Sequence, residues 1–188
     1  MVKTDLSKYN NDWYKNSDFT RGFLTTLLWF ICNRIFINSY LPLPVFIKIR
    51  ILRAFGAKLG KGITIKPMVN IKAPWNLEIG DYVWIGENVW IDNLAKVKIG
   101  NNVCLSQGAL LLSGNHNYKK ETFDLIIKDI ILEDGVWIGA RAVVCAGVRC
   151  ASHSVLAVNS VANRNLEAYG IYQGNPAVLV RQRTAATE

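Results

Sequence analysis

Only two histidines occur in this chain, and one of them, His116, stands in the stretch SGNHNYKKETFDLIIKD, Ser113 to Asp129. An imidazole with an ordinary pKa of about 6.5 accepts and returns a proton near neutral pH, so a histidine in a sheltered position is a candidate general base. Asp124, in the same stretch, is a carboxylate that either orients such a base or anchors the loop around it. His153 falls in an ordinary turn position and reads as structural. Two histidines are too few for a three-histidine metal site. Cys32, Cys104, Cys145 and Cys150 show neither C-x-x-C pairing nor zinc-ligand spacing, so no metal is expected. Free thiols fit a reducing cytosol, and Cys150 reads as a small hydrophobe.

What must position His116 is a repeat. From Leu59 onward aliphatic residues recur every six positions: Leu59, Ile65, Ile71; Ile79, Ile85, Ile91; Ile99, Leu105, Leu111; then Leu132, Ile138, Val144, Cys150, Leu156. Four residues after most of these stands a second small or β-branched residue, such as Ile63, Val69, Val83, Val89, Val103 or Val136. A period of six fits neither a helix nor a meander. It predicts a parallel β-helix in which three hexads close a triangular coil of about 18 residues. The lead aliphatics point inward, and glycine- and asparagine-rich turns such as Gly100–Asn101–Asn102 are expected to supply positive φ at the corners. One large break interrupts the series. Residues 117–129 cannot be absorbed by a coil and must loop out, and long excursions from compact folds are usually functional. His116 sits at the root of that excursion.

The fold class expected is therefore all-β, with a helical appendage over residues 1–58, a β-helix over 59–168 carrying the 117–129 excursion, and a short tail over 169–188. In the appendage, GFLTTLLWFIC reads as a helix with a wide apolar face. It is too short to cross a bilayer, which takes about 20 apolar residues. It either packs on its own domain or a neighbouring subunit, or lies in a membrane interface. Lys48, Arg50, Arg53, Lys58 and Lys61 follow it and are expected to meet anionic headgroups. Pro42 and Pro44 end the first helix before a second, VFIKIRILRAFGAKLG. The opening MVKTDLSKYNND has no signal-peptide pattern. The formal charge of +8 favours anionic partners, but no nucleic-acid motif is present and none is expected to bind.

With RGFLTTLLW, SYLPLP and LRAFGAKLG, APWNLEIG, SQGALLLSGNHNY with TFDL, EDGVWIGARAVVCAGV and GNPA, the chain resembles the hexapeptide-repeat sugar O-acetyltransferases, within them the colanic-acid-biosynthesis type. The resemblance runs from about Arg21 to Ala177. It implies a left-handed coil, a homotrimer, and acetyl-CoA as acyl donor, lying in a groove between subunits. His116 would remove the proton of an acceptor hydroxyl, and the backbone N–H of Ala140 would hold the oxyanion. The cofactor's arm would pass Trp137, Gly139 and Ala140. Val158, Asn163 and Arg164 would meet it further along, with Arg181 and Arg183 at its phosphates. Asn93, and beside it Asp92, would meet the acceptor, a sugar or lipid-linked saccharide. The enzyme would be cytoplasmic, with peripheral contact at the inner membrane face. Cys150 in the inward row and Asn159 at a usual glycine position depart from the family pattern.

Two other functions remain open at this point. The same base serves N-acetylation of an amino sugar, and a β-helix also serves as a non-catalytic scaffold. A γ-type carbonic anhydrase fails on histidine count, and a nucleotidyltransferase needs a larger first half than 58 residues.

Overall fold

The computed structural model describes residues 3–184. Very short parallel strands stack into three sheets. The first holds Lys58–Leu59, Leu77–Ile79, Val97–Ile99, Ile130–Leu132 and Arg149–Cys150. The second holds Thr64–Ile65, Trp84–Ile85, Cys104–Leu105, Trp137–Ile138, Val155–Leu156 and Gly170–Gly174. The third holds Asn70–Ile71, Trp90–Asp92, Leu110–Leu112, Val143–Cys145 and Val161–Ala162. The chain visits them in rotation, giving the triangular β-helix that the six-residue period predicts.

Register follows the hexads. Ile79 pairs with Ile99, Ile85 with Leu105, Ile91 with Leu111 and Ile138 with Leu156, so like residues stack along the axis. Ile71, Ile85, Ile91, Leu105, Leu111, Ile138 and Cys150 are all fully buried. Burial drives the Cys150 thiol pKa up to about 12, so it behaves as the small hydrophobe expected.

Positive φ at the corners falls on Gly62, Gly108, Gly135 and Gly147 and on Asn88, Asn102 and Asn159, as expected, and also on Tyr82 and Arg141. Gly100, which is not left-handed, has a different job. A Cβ on Gly100 would lie 2.8 Å from the backbone nitrogen of Asp134 in the next coil. Glycine after the lead aliphatic lets one coil approach the next.

Two boundaries move. Gly170–Gly174 pairs in parallel with Val155–Leu156, so the coil continues past residue 168. Ala177–Gln182 then folds back antiparallel on it, across the turn at Asn175–Pro176. The excursion begins before residue 117: Gly114–His116 pairs antiparallel with Leu125–Ile127 as a β-hairpin.

The appendage caps the first coil through one stripe. Trp29 is buried, and its indole donates to the Ile71 carbonyl at 2.9 Å. A π-helical turn, Asn33–Ile37, keeps Asn33 and Ile37 on the same inward side. From the second helix, Val45–Ala54, Leu52 and Lys48 are also buried. Burial lowers the Lys48 pKa, and its amine lies 3.5 Å from the Ile65 and Lys66 carbonyls. Lys48 therefore cannot meet headgroups. Arg53 donates to the Leu59 and Gly60 carbonyls, and Lys58 pairs with Glu78 at 2.6 Å, which further thins the expected basic patch.

Candidate active site

His116 ends the first strand of the hairpin, and the root of that hairpin is rigid. Ser113 is fully buried; its hydroxyl donates to the Asp92 carbonyl at 2.9 Å and accepts from the Ala95 N–H at 3.0 Å. The imidazole is half-buried and stacked on Phe123, with centroids 4.4 Å apart and planes within 4°. Nδ1 lies 2.9 Å from the Phe123 carbonyl oxygen. A carbonyl only accepts, so Nδ1 carries the proton and Nε2 presents its lone pair. Phe123 holds this position with φ of 49°, a left-handed conformation that is costly for an aromatic residue. Asp124 does not orient the base. Its carboxylate takes hydrogen bonds from Lys120 and Thr122, which hold its pKa below the usual range, and it anchors the loop. The orienting group is a backbone carbonyl, which carries no sequence signature.

A groove of 560 Å³ runs along the second sheet. It gathers Trp137, Gly139, Ala140, Val158, Arg181 and Arg183 with six residues to which the sequence assigns no role at the cofactor, Ser106, Gln107, Val155, Leu156, Ala157 and Ile171. Trp137 is half exposed, and its indole donates to Ser106 Oγ at 2.9 Å, which fixes the ring as a wall. Gly139 N–H donates to the Leu156 carbonyl at 2.7 Å. The Ala140 N–H has no hydrogen-bond partner among the described residues and lines the groove. Arg181 reaches it from the returning strand and Arg183 from just beyond that strand. Asn163 and Arg164 do not join this set: they are exposed on the turn after Val161–Ala162, outside the groove lining.

On the third sheet, Asn93 is fully buried. Its amide accepts from the Ala73 N–H at 3.0 Å and donates to the Ala73 carbonyl. That side chain clamps two coils and is closed to solvent. The Asp92 carboxylate is nearly buried and pairs with Lys72 at 3.0 Å. In the strand register Asp92 sits opposite Leu112, next to the hairpin root.

No family model matches the chain. WcaF of Escherichia coli K-12, named as a colanic acid biosynthesis acetyltransferase, is 35% identical over 133 residues, which is 71% of this chain and 73% of the relative. The chain belongs to the hexapeptide-repeat acetyltransferase family. Within this family, VCA0836 of Vibrio cholerae superposes with a TM-score of 0.77 at 26% identity, over 87% of this chain and 95% of that one. Its complex with acetyl coenzyme A superposes at 0.72 and 27% identity, over 79% and 82% of the two chains. Galactoside acetyltransferase in complex with coenzyme A shares the fold, with a TM-score of 0.72 at 21% identity over 89% and 86%. The fold is the family's left-handed β-helix, and the protein is an acetyltransferase.

Proposed function

We propose that this enzyme transfers the acetyl group of acetyl-CoA to a sugar hydroxyl in the assembly of a bacterial exopolysaccharide or capsule. The observation that carries the reading is the tautomer of His116: with Nδ1–H fixed on the Phe123 carbonyl, Nε2 is left to act as the base. The acceptor hydroxyl gives its proton to Nε2 as its oxygen attacks the thioester carbonyl. The oxyanion of the tetrahedral intermediate takes a hydrogen bond from the Ala140 N–H. Collapse expels the thiolate, and the imidazolium returns the proton to sulfur, leaving free coenzyme A and an O-acetyl ester. No covalent enzyme intermediate is needed.

Trp137, Ala140 and Val158 would line the path of the pantetheine arm, and Arg181 and Arg183 would meet phosphate. Gly139 would let the backbone carry that path. Asp92 would take a hydrogen bond from the acceptor. The relatives support the donor: VCA0836 forms a complex with acetyl coenzyme A. WcaF's name supports the setting. We read the assembly as a homotrimer, because the half-exposed Trp84 and Trp137 leave an apolar strip on the second sheet. We read the location as the cytoplasmic face of a membrane, held peripherally. Phe23, Leu24, Phe30, Ile31, Ile35 and Phe46 are all exposed, beside Arg34 and Arg50. Among the described residues no helix is long and apolar enough to cross a bilayer.

The test is thiol release from acetyl-CoA with a panel of neutral, amino, nucleotide-linked and lipid-linked sugars. Acceptor-dependent release yielding an O-acetyl ester, and lost in His116→Ala, is expected. Release only with amino sugars, yielding amides, would make the enzyme an N-acetyltransferase. Absence of release with any acceptor would favour a scaffold.

A further inference from the structure

Residues before Phe19 carry no motif that points to chemistry. In the structure they climb one edge of the prism to the candidate base. That edge is the corner between the third and first sheets, formed in successive coils by residues 73–76, by residues 93–96 and by the hairpin itself. The segment is tied to each. The Phe19 carbonyl accepts from Trp75 Nε1 at 2.9 Å and from Asn76 Nδ2 at 2.8 Å. Tyr14 Oη donates to the Leu94 carbonyl at 3.2 Å. At the hairpin, Asp5 N–H donates to the Glu121 carbonyl at 2.9 Å, and the Lys8 ammonium meets the Glu121 carboxylate at 2.7 Å. Between these ties the Tyr9 ring stands 5.7 Å from the His116 ring, tilted by 57°. Burial, with a smaller contribution from the charge of Asp92, drives the Tyr14 pKa up to about 12.

We propose that residues 5–16 form a strap that roofs the acceptor side of the site, and that Tyr9 is a positioning residue for His116. Phe123 covers the imidazole by stacking and Tyr9 adds a second aromatic wall, so the ring has little freedom to swing away from the acceptor. The strap also limits water. Water is the competing nucleophile: its attack on the thioester, with its proton passing through Nε2 to sulfur, releases acetate and free coenzyme A. A roof over Nε2 favours a bulky hydroxyl held by Asp92 over a loose water. This inference rests on the acetyltransferase reading given above.

The experiment compares Tyr9→Ala and Tyr9→Phe in the full chain. One arm measures O-acetylated sugar against free acetate. The other follows the ring C–H resonances of the two histidines, with His153, stacked on Tyr169, as internal control. In Tyr9→Ala the ratio of transfer to hydrolysis is expected to fall about tenfold, since small misplacements at a reacting centre have effects of that order. The KM for acceptor should rise while that for acetyl-CoA holds. The His116 resonance should move as the ring current of Tyr9 is lost, with His153 still. Tyr9→Phe should keep wild-type values, because the ring and not the hydroxyl does the packing. Should Tyr9→Ala melt at a lower temperature, Lys8→Glu, which sets two carboxylates against each other at the hairpin tip, gives the same readouts with Tyr9 intact. A ratio within twofold of wild type in the folded variants, or an unmoved His116 resonance in Tyr9→Ala, would overturn the proposal. The resonance needs no acetyl transfer. A wild-type protein inactive on every acceptor would therefore sink the acetyltransferase reading while the spectrum still decided whether the strap lies on His116.

Discussion

Gly139→Ala tests whether coil packing sets the geometry of the oxyanion site. A Cβ at this position would lie 2.7 Å from the Val158 nitrogen, 2.8 Å from the Ala157 carbonyl carbon and 2.8 Å from the Leu156 oxygen. All three are backbone atoms, so no side chain can swing away. Ordinary contact begins at 3.4 Å, so the two coils must part locally by about 0.7 Å. The hydrogen bond from Gly139 N–H to the Leu156 carbonyl, 2.7 Å long, stretches with them. Overpacking of this kind costs about 1–3 kcal/mol, a fall in melting temperature of roughly 2–12 °C for a chain of this size. The functional effect should be larger in proportion. Ala140 is the next residue, and a displacement approaching 1 Å at a reacting centre lowers turnover by up to about 10²-fold. The assay is a thermal melt with kcat from acceptor-dependent thiol release. Gly80→Ala is the control. It meets the Gly100 carbonyl carbon at 2.8 Å on the first sheet, away from the groove, so it should lose similar stability and keep its kcat. A Gly139→Ala enzyme with wild-type kcat would refute the assignment of Ala140, and one with a wild-type melting temperature would refute the packing argument.

His116→Ala should lower kcat by about 10²–10⁴-fold while melting and assembly are retained, as expected for loss of a general base; near-wild-type turnover would remove His116 from the mechanism. Sedimentation should show a trimer, and a stable, active monomer would contradict the assembly proposed from the exposed tryptophans. Stability should fall from about pH 9 upward: the Cys150 thiol, raised in the fold from 9.0 to about 12, keeps its proton there while the unfolded chain loses it. Cys150→Val should flatten that alkaline fall in melting temperature, and an unchanged slope would mean other groups carry it. Co-flotation with anionic liposomes should be retained at low salt and weakened at high salt, with loss of binding in Phe23→Glu/Phe30→Glu; no flotation at either salt would make the exposed helix a subunit contact.

The six-residue period determined the β-helix, because in a coil of short strands a residue's place in the hexad fixes whether it points inward, and each coil repeats the choice. It also located His116, since an interruption of a repeat is visible without coordinates. The motifs named Trp137, Gly139, Ala140 and Val158, and the groove does gather them. Tertiary structure decided what local pattern cannot encode. Ser106 and Gln107 reach the groove only because the next coil stacks above them. Asn93 proved a clamp and Lys48 a buried cap, since burial depends on what packs opposite and not on residue type. The group that fixes the base is the Phe123 carbonyl, which every residue possesses, so only its placement distinguishes it. Tyr9 and His116 are far apart in sequence and share no period; their meeting follows from the rise of the coils and the hairpin that leans out from them.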